Sequence, residues 1–180
     1  MQYSFMNQLK LLILISLLIS FKSVSQEQEY IVNNSNDTIY GKIIRGTNWL
    51  DTSDVIFKFK GNNGKKKLID PSDIKTIRSL KGTDGDCFII TIYDKWYLKN
   101  IIDGRIQVYQ LVDGVIFYVS KDDSEIMSTD IGWPLSREKA HSQIRPLIED
   151  NPSILKEYDS LEGSSKNILR IIEKYNTSQK

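Results

Sequence analysis

The hydrophobic period of this chain changes once, and that change limits its fold more than any other feature. Between residue 39 and about residue 129, apolar side chains alternate with polar ones in short runs bounded by turn residues, the period of strands with one buried face. Ile39, Gly41 and Ile43 alternate with Tyr40, Lys42 and Ile44; Val55, Phe57 and Phe59 alternate with Ile56, Lys58 and Lys60. Phe88 to Tyr93 is apolar on both faces, as a central strand is. Beyond Trp133-Pro134 the spacing becomes helical. Ala140, Ile144, Leu147 and Ile148 form one stripe, Ile154, Leu155, Tyr158 and Leu161 a second, and Ile168, Leu169, Ile171, Ile172 and Tyr175 a third. The expected class is α+β: an antiparallel β-meander of eight or nine strands, closing as a sheet or a partial barrel, followed by about three short C-terminal helices packed on one face or edge.

Turn residues punctuate this pattern. Gly61-Asn62-Asn63-Gly64 supplies a loop before Lys65 to Ile69 returns as a partner strand. Asp70-Pro71-Ser72-Asp73 reads as a turn, and Asp113-Gly114 as a two-residue hairpin between Arg105–Val112 and Val115–Lys121. Pro146 should break or kink the first helix, Asn151-Pro152 should cap the second, and Gly163 should stop it. The organisation expected is a leader at 1–25, a β domain at 26–133 and a helical segment at 134–180 packed on the same domain.

The leader is read from three parts. Lys10 is the sole charge in the first ten residues, Leu11 to Phe21 is apolar except for Ser16 and Ser20, and Lys22-Ser23-Val24-Ser25 places small residues before a cut at Gln26. That is the build of a cleavable signal peptide, and the apolar run is too short for the ~20 residues of a spanning helix. The mature chain should not span a membrane, and a lipid anchor at the cut would need a cysteine, whereas the only cysteine is Cys87. Export is therefore expected, with the periplasm favoured over the extracellular medium. The charges nearly balance, 24 Lys and Arg against 23 Asp and Glu, which excludes the strongly basic field of a nucleic-acid binder.

Catalytic signals are sparse. His141 is the only histidine, no Gly-x-Ser-x-Gly elbow presents a serine, and Cys87 lies in the apolar run Cys87-Phe88-Ile89-Ile90, where a small core residue belongs. No cofactor or metal motif is present, and the carboxylates at Asp70/Asp73, Asp84/Asp86 and Asp122/Asp123/Glu125 do not match the calcium-loop spacing. The strongest local charge feature is the lysine set Lys58, Lys60, Lys65, Lys66 and Lys67. It could meet the phosphates of lipopolysaccharide, an acidic glycan or an acidic protein, or it could guard a sheet edge against pairing. Trp49, Trp96, Tyr97 and Trp133 could stack on sugars or pack in the core or a hairpin.

Asp37-Thr38-Ile39-Tyr40-Gly41-Lys42-Ile43 resembles the D-T-L-x-G-x-I opening of small secreted proteins of Bacteroidota-type bacteria. The similarity continues through Asp70-Pro71-Ser72-Asp73-Ile74, Gly104-Arg105-Ile106-Gln107-Val108-Tyr109 and Ile171-Ile172-Glu173-Lys174-Tyr175-Asn176. The resemblance implies an envelope or secreted protein and carries over no activity and no catalytic residue. The expectation is thus a non-catalytic exported module that binds an envelope protein or glycan. The alternatives are a hydrolase using carboxylates of loops 84–86 and 122–125, and a barrel binding an apolar molecule. No sequence signal bears on oligomeric state.

Overall fold

In a computed structural model, residues 28–47, 55–80 and 83–178 are described; the leader at 1–25 and Trp49 lie outside them. Eleven strands run through the described residues: β1 (Tyr30–Asn33), β2 (Thr38–Tyr40), β3 (Lys42–Thr47), β4 (Val55–Lys60), β5 (Lys66–Leu68), β6 (Ile74–Ser79), β7 (Cys87–Ile92), β8 (Trp96–Ile102), β9 (Ile106–Leu111), β10 (Phe117–Lys121) and β11 (Met127–Thr129). Three α-helices follow, α1 (Arg137–Ile144), α2 (Pro152–Asp159) and α3 (Ser165–Ser178). The class is α+β, as expected.

All strand pairs are antiparallel. β6 to β11 form an uninterrupted meander, and β1 and β2 extend it beyond β6, giving the order β11-β10-β9-β8-β7-β6-β1-β2. β3, β4 and β5 make a separate three-stranded sheet. The alternating run Ile39–Ile44 is therefore two strands in two sheets, divided at Gly41. A Cβ there would overlap the Phe59 ring and come within 2.7 Å of the Lys60 carbonyl oxygen, so only glycine lets the chain cross. Glu29 fastens the crossing: its carboxylate accepts from the Ile43 and Leu80 amides, each at 3.0 Å. This split, with the short β1, brings the strand count to eleven.

One face of the large sheet is covered twice. At one end Phe57, Ile43 and Ile69 of the small sheet and its flank pack on Ile31, Ile77, Cys87, Ile89 and Tyr97. At the other, the helices bring Ile144, Ile154, Tyr158, Ile168, Ile171, Ile172 and Tyr175 onto Ile102, Ile106, Val108 and Val119. By strand alternation Leu98, Tyr109 and Tyr118 point to the opposite face, where they are buried with Ile90, Ile92, Leu111, Ile116 and Ile126. No described helix or small-sheet residue belongs to this third cluster.

Local expectations fare unevenly. Asn151 caps α2, accepting from the Ile154 amide at 3.2 Å with Pro152 next, and α1 gives way at Arg145–Ile148 to a 3-10 turn containing Pro146. The Asp113-Gly114 hairpin is wider than two residues. The ladder closes with Leu111 N–H donating to Ile116 O at 2.9 Å, leaving residues 112–115 in the loop and Asp113 at φ 60°. The reason is Val112, which leaves the ladder, donates to Tyr97 O at 3.0 Å and buries its side chain against the small sheet. No described helix is long and apolar enough to cross a membrane.

Candidate functional site

Register turns the lysines into a surface. Lys42 of β3 lies opposite Lys60 of β4, which lies opposite Lys66 of β5; in the next row Ile44 faces Lys58 and Lys58 faces Leu68. Phe57 and Phe59 point inward, so Lys42, Lys58, Lys60 and Lys66 share the outer face of the small sheet, and all four are exposed. Among the described residues none of the four is in an ion pair. Directly opposed like charges destabilise a sheet, by roughly 0.2–1 kcal/mol per pair. Edge protection does not account for this arrangement, because Lys58 and Lys60 stand on the central strand. Lys67 takes the inward register opposite Phe59, and Lys65 sits in the loop with its amide on Asn63 Oδ1. Lys42 was hidden from sequence reasoning, since only the β3–β4 pairing places it beside the other three.

The tryptophans are spread out. Trp96 opens β8 on the face of the large sheet that carries Leu98, Tyr109 and Tyr118, opposite Ile92, with Lys95 Nζ 4.9 Å from its ring centroid. Beside it Tyr93 is 71% exposed and holds φ 53° at the hairpin tip, an uncommon conformation for a bulky residue. Trp133 lies on the loop between β11 and α1, and no ring contact among the described residues joins it to Trp96. An open recess of about 560 Å³ runs along the same face past Thr76, Phe88, Ile90 and Asn100.

The carboxylates are engaged elsewhere. Asp84 pairs with Arg45 at 2.6 Å, and Arg45 also pairs with Asp113; Asp86 pairs with Arg78. Arg105 holds Asp122 through two hydrogen bonds, 2.8 and 2.7 Å, which keep that carboxyl below its ordinary range. Asp70 accepts from the Ser72 hydroxyl at 2.7 Å and amide at 2.9 Å and is likewise lowered. A general acid needs the reverse displacement. His141 of α1 stacks on the buried Tyr158 at 4.0 Å and 9°, its Nε2 3.1 Å from the Tyr158 carbonyl oxygen. Burial raises the Cys87 thiol, away from nucleophilic character. No three described His, Cys, Asp or Glu side chains are grouped to hold a metal.

The arrangement can therefore present positive charge on the outer face of the small sheet and, on the opposite side of the molecule, an apolar, aromatic face of the large sheet. Comparison with known proteins finds no matching family model, no matching curated protein and no matching solved structure.

Proposed function

We propose that this protein is a non-catalytic envelope module, exported through its leader to the periplasm, which binds a polyanionic glycan on the outer face of the small sheet. The observation that carries the reading is the row Lys42–Lys60–Lys66, reinforced by Lys58 on the central strand. Three ammonium groups in line across three strands repel one another. A run of phosphate or carboxylate groups relieves that repulsion and gains charge-assisted contacts. The sheet holds the lysine stems' attachment points in place, so the ligand does not have to order the backbone.

Binding to immobilised acidic polysaccharide and to lipopolysaccharide, set against a neutral polysaccharide, tests the reading. The expected result is binding to the acidic polymers alone, weakening steeply with salt. The triple variant Lys58→Gln, Lys60→Gln, Lys66→Gln should bind at least about tenfold more weakly, a loss on the order of 1.4 kcal/mol. Equal binding of the neutral polymer, or an unaltered triple variant, overturns it. The export half of the reading is checked by the amino terminus of native material, which should begin at Gln26 in an envelope fraction.

A further inference from the structure

We infer that the end of the large sheet formed by Val115, Trp133 and Leu135 is a bilayer-contacting tip, which enters the interfacial zone of a phospholipid membrane. The two loops that carry it are held together. Gly132 lies against the 112–115 loop so closely that a Cβ would overlap the Val115 carbonyl oxygen, and Phe117 Cδ2 would stand 3.2 Å away. The chain then runs through Trp133 into the 3-10 turn Pro134–Ser136. Val115 is 55% exposed, Trp133 49% and Leu135 101%, so the leucine stands free of all protein cover.

An exposed leucine and tryptophan on a floppy loop would mean little. This loop is pinned: Trp133 N–H donates to Asp130 O at 2.9 Å, and Ser136 N–H donates to Trp133 O at 3.1 Å. Its shape is fixed before anything binds, which removes most of the ordering cost of association. The segment Ile131-Gly132-Trp133-Pro134-Leu135-Ser136 carries no charge, nor does Val115-Ile116-Phe117. The two flanking acids are each ion-paired, Asp113 with Arg45, which it shares with Asp84, and Asp130 with Lys139 at 2.8 Å.

The full exposure of Leu135 decides the occupant. A protein partner would need a pocket shaped to receive a projecting leucine, whereas a bilayer interface deforms around any tip and favours tryptophan at headgroup depth. The contact needs no lysine, and so it stands or falls apart from the polyanion reading.

The test uses the full chain carrying Trp49→Phe and Trp96→Phe, which leaves Trp133 as the sole tryptophan of the original three. Vesicles of zwitterionic phosphatidylcholine in high salt remove the electrostatic contribution of the lysine face. The expected result is a shift of Trp133 emission to shorter wavelength, with quenching by lipids brominated on their acyl chains. Leu135→Glu in the same background should lower the partition read from Trp133 roughly tenfold or more, while Lys60→Gln leaves it unaltered. Emission that stays at its aqueous position and is not quenched overturns the inference, even where the chain sediments with vesicles through residues 1–25. So does a Leu135→Glu chain that partitions as the parent does.

Discussion

The side-chain amide of Asn176 satisfies both backbone hydrogen-bonding groups of Ile106. Its Oδ1 accepts from Ile106 N–H at 3.0 Å and its Nδ2 donates to Ile106 O at 2.8 Å, so α3 pairs with the first residue of β9 as a neighbouring strand would. Ile106 is fully buried and Asn176 nearly so, which leaves no water to replace a lost bond. Asn176→Ala should therefore cost about 2–4 kcal/mol, two buried backbone groups being left unpaired. Gly104 completes the fit. It sits at φ 150°, and a Cβ would come 2.5 Å from Asn176 Cγ, so Gly104→Ala should also destabilise strongly. Chemical denaturation of both variants checks this; a loss below about 1 kcal/mol for Asn176→Ala would show that the pairing is dispensable.

Lys60 stands between Lys42 and Lys66 and suffers two cross-strand repulsions. Lys60→Gln removes both, so it should raise stability by roughly 0.5 kcal/mol at low salt while weakening polyanion binding. The gain should shrink as salt screens the parent protein's repulsion. Thermal unfolding at two ionic strengths reads it. A destabilised Lys60→Gln chain would mean that the lysine stem packs more than its charge repels.

What could be read in advance follows the range of the interactions involved. The switch from strand to helix at Trp133-Pro134, the Asn151 cap and the stripe Ile168, Ile171, Ile172, Tyr175 are local, and each stands in the sequence as in the fold. Gly41 is different: its necessity comes from the Phe59 ring, which only the β3–β4 register brings near. Likewise β1 pairs with β6 across the whole small sheet, a connection no period announces. The candidate lysine surface was half legible for the same reason. Lys58, Lys60 and Lys66 share a hairpin, but Lys42 joins them through a pairing with a different strand, and Lys67 leaves them because strand alternation turns it inward.

His141 and Tyr158 hold each other through reciprocal contacts. The rings stack, His141 Nε2 lies 3.1 Å from Tyr158 O, and Tyr158 donates its hydroxyl proton to His141 O at 3.1 Å. Tyr158→Phe keeps the stack and loses one bond, at a cost of about 1 kcal/mol. His141→Ala loses the stack and the other bond. The double variant should lose less than the sum, with a coupling of about 0.5 kcal/mol or more between the two residues. Additive losses in a double-mutant cycle would show that α1 and α2 are held together by apolar packing alone.

Acid should loosen the helices from the sheet through Asp150. Desolvation pushes this carboxyl up, but hydrogen bonds from Lys121 and Tyr175 outweigh it, and the net displacement is downward from 3.8. Lys121 Nζ lies 2.9 Å from Asp150, the Tyr175 hydroxyl donates at 2.8 Å, and Arg105 adds a third contact at 3.2 Å. These groups join the ends of β9 and β10 to the start of α2 and to α3. Because the folded value is the lower one, folding favours the ionised carboxyl. Its stabilisation is complete above the unfolded value, and is lost as the pH falls through 3.8 and on through the depressed folded value. Asp122 and Asp159, held by Arg105 and Arg145, titrate in the same direction. Asp150→Asn should accordingly flatten the dependence of unfolding free energy on pH below about 5 and leave it unaltered near neutrality. Denaturant titrations of the parent and Asp150→Asn chains at stepped acidic pH measure that slope, and identical slopes would remove Asp150 from the linkage.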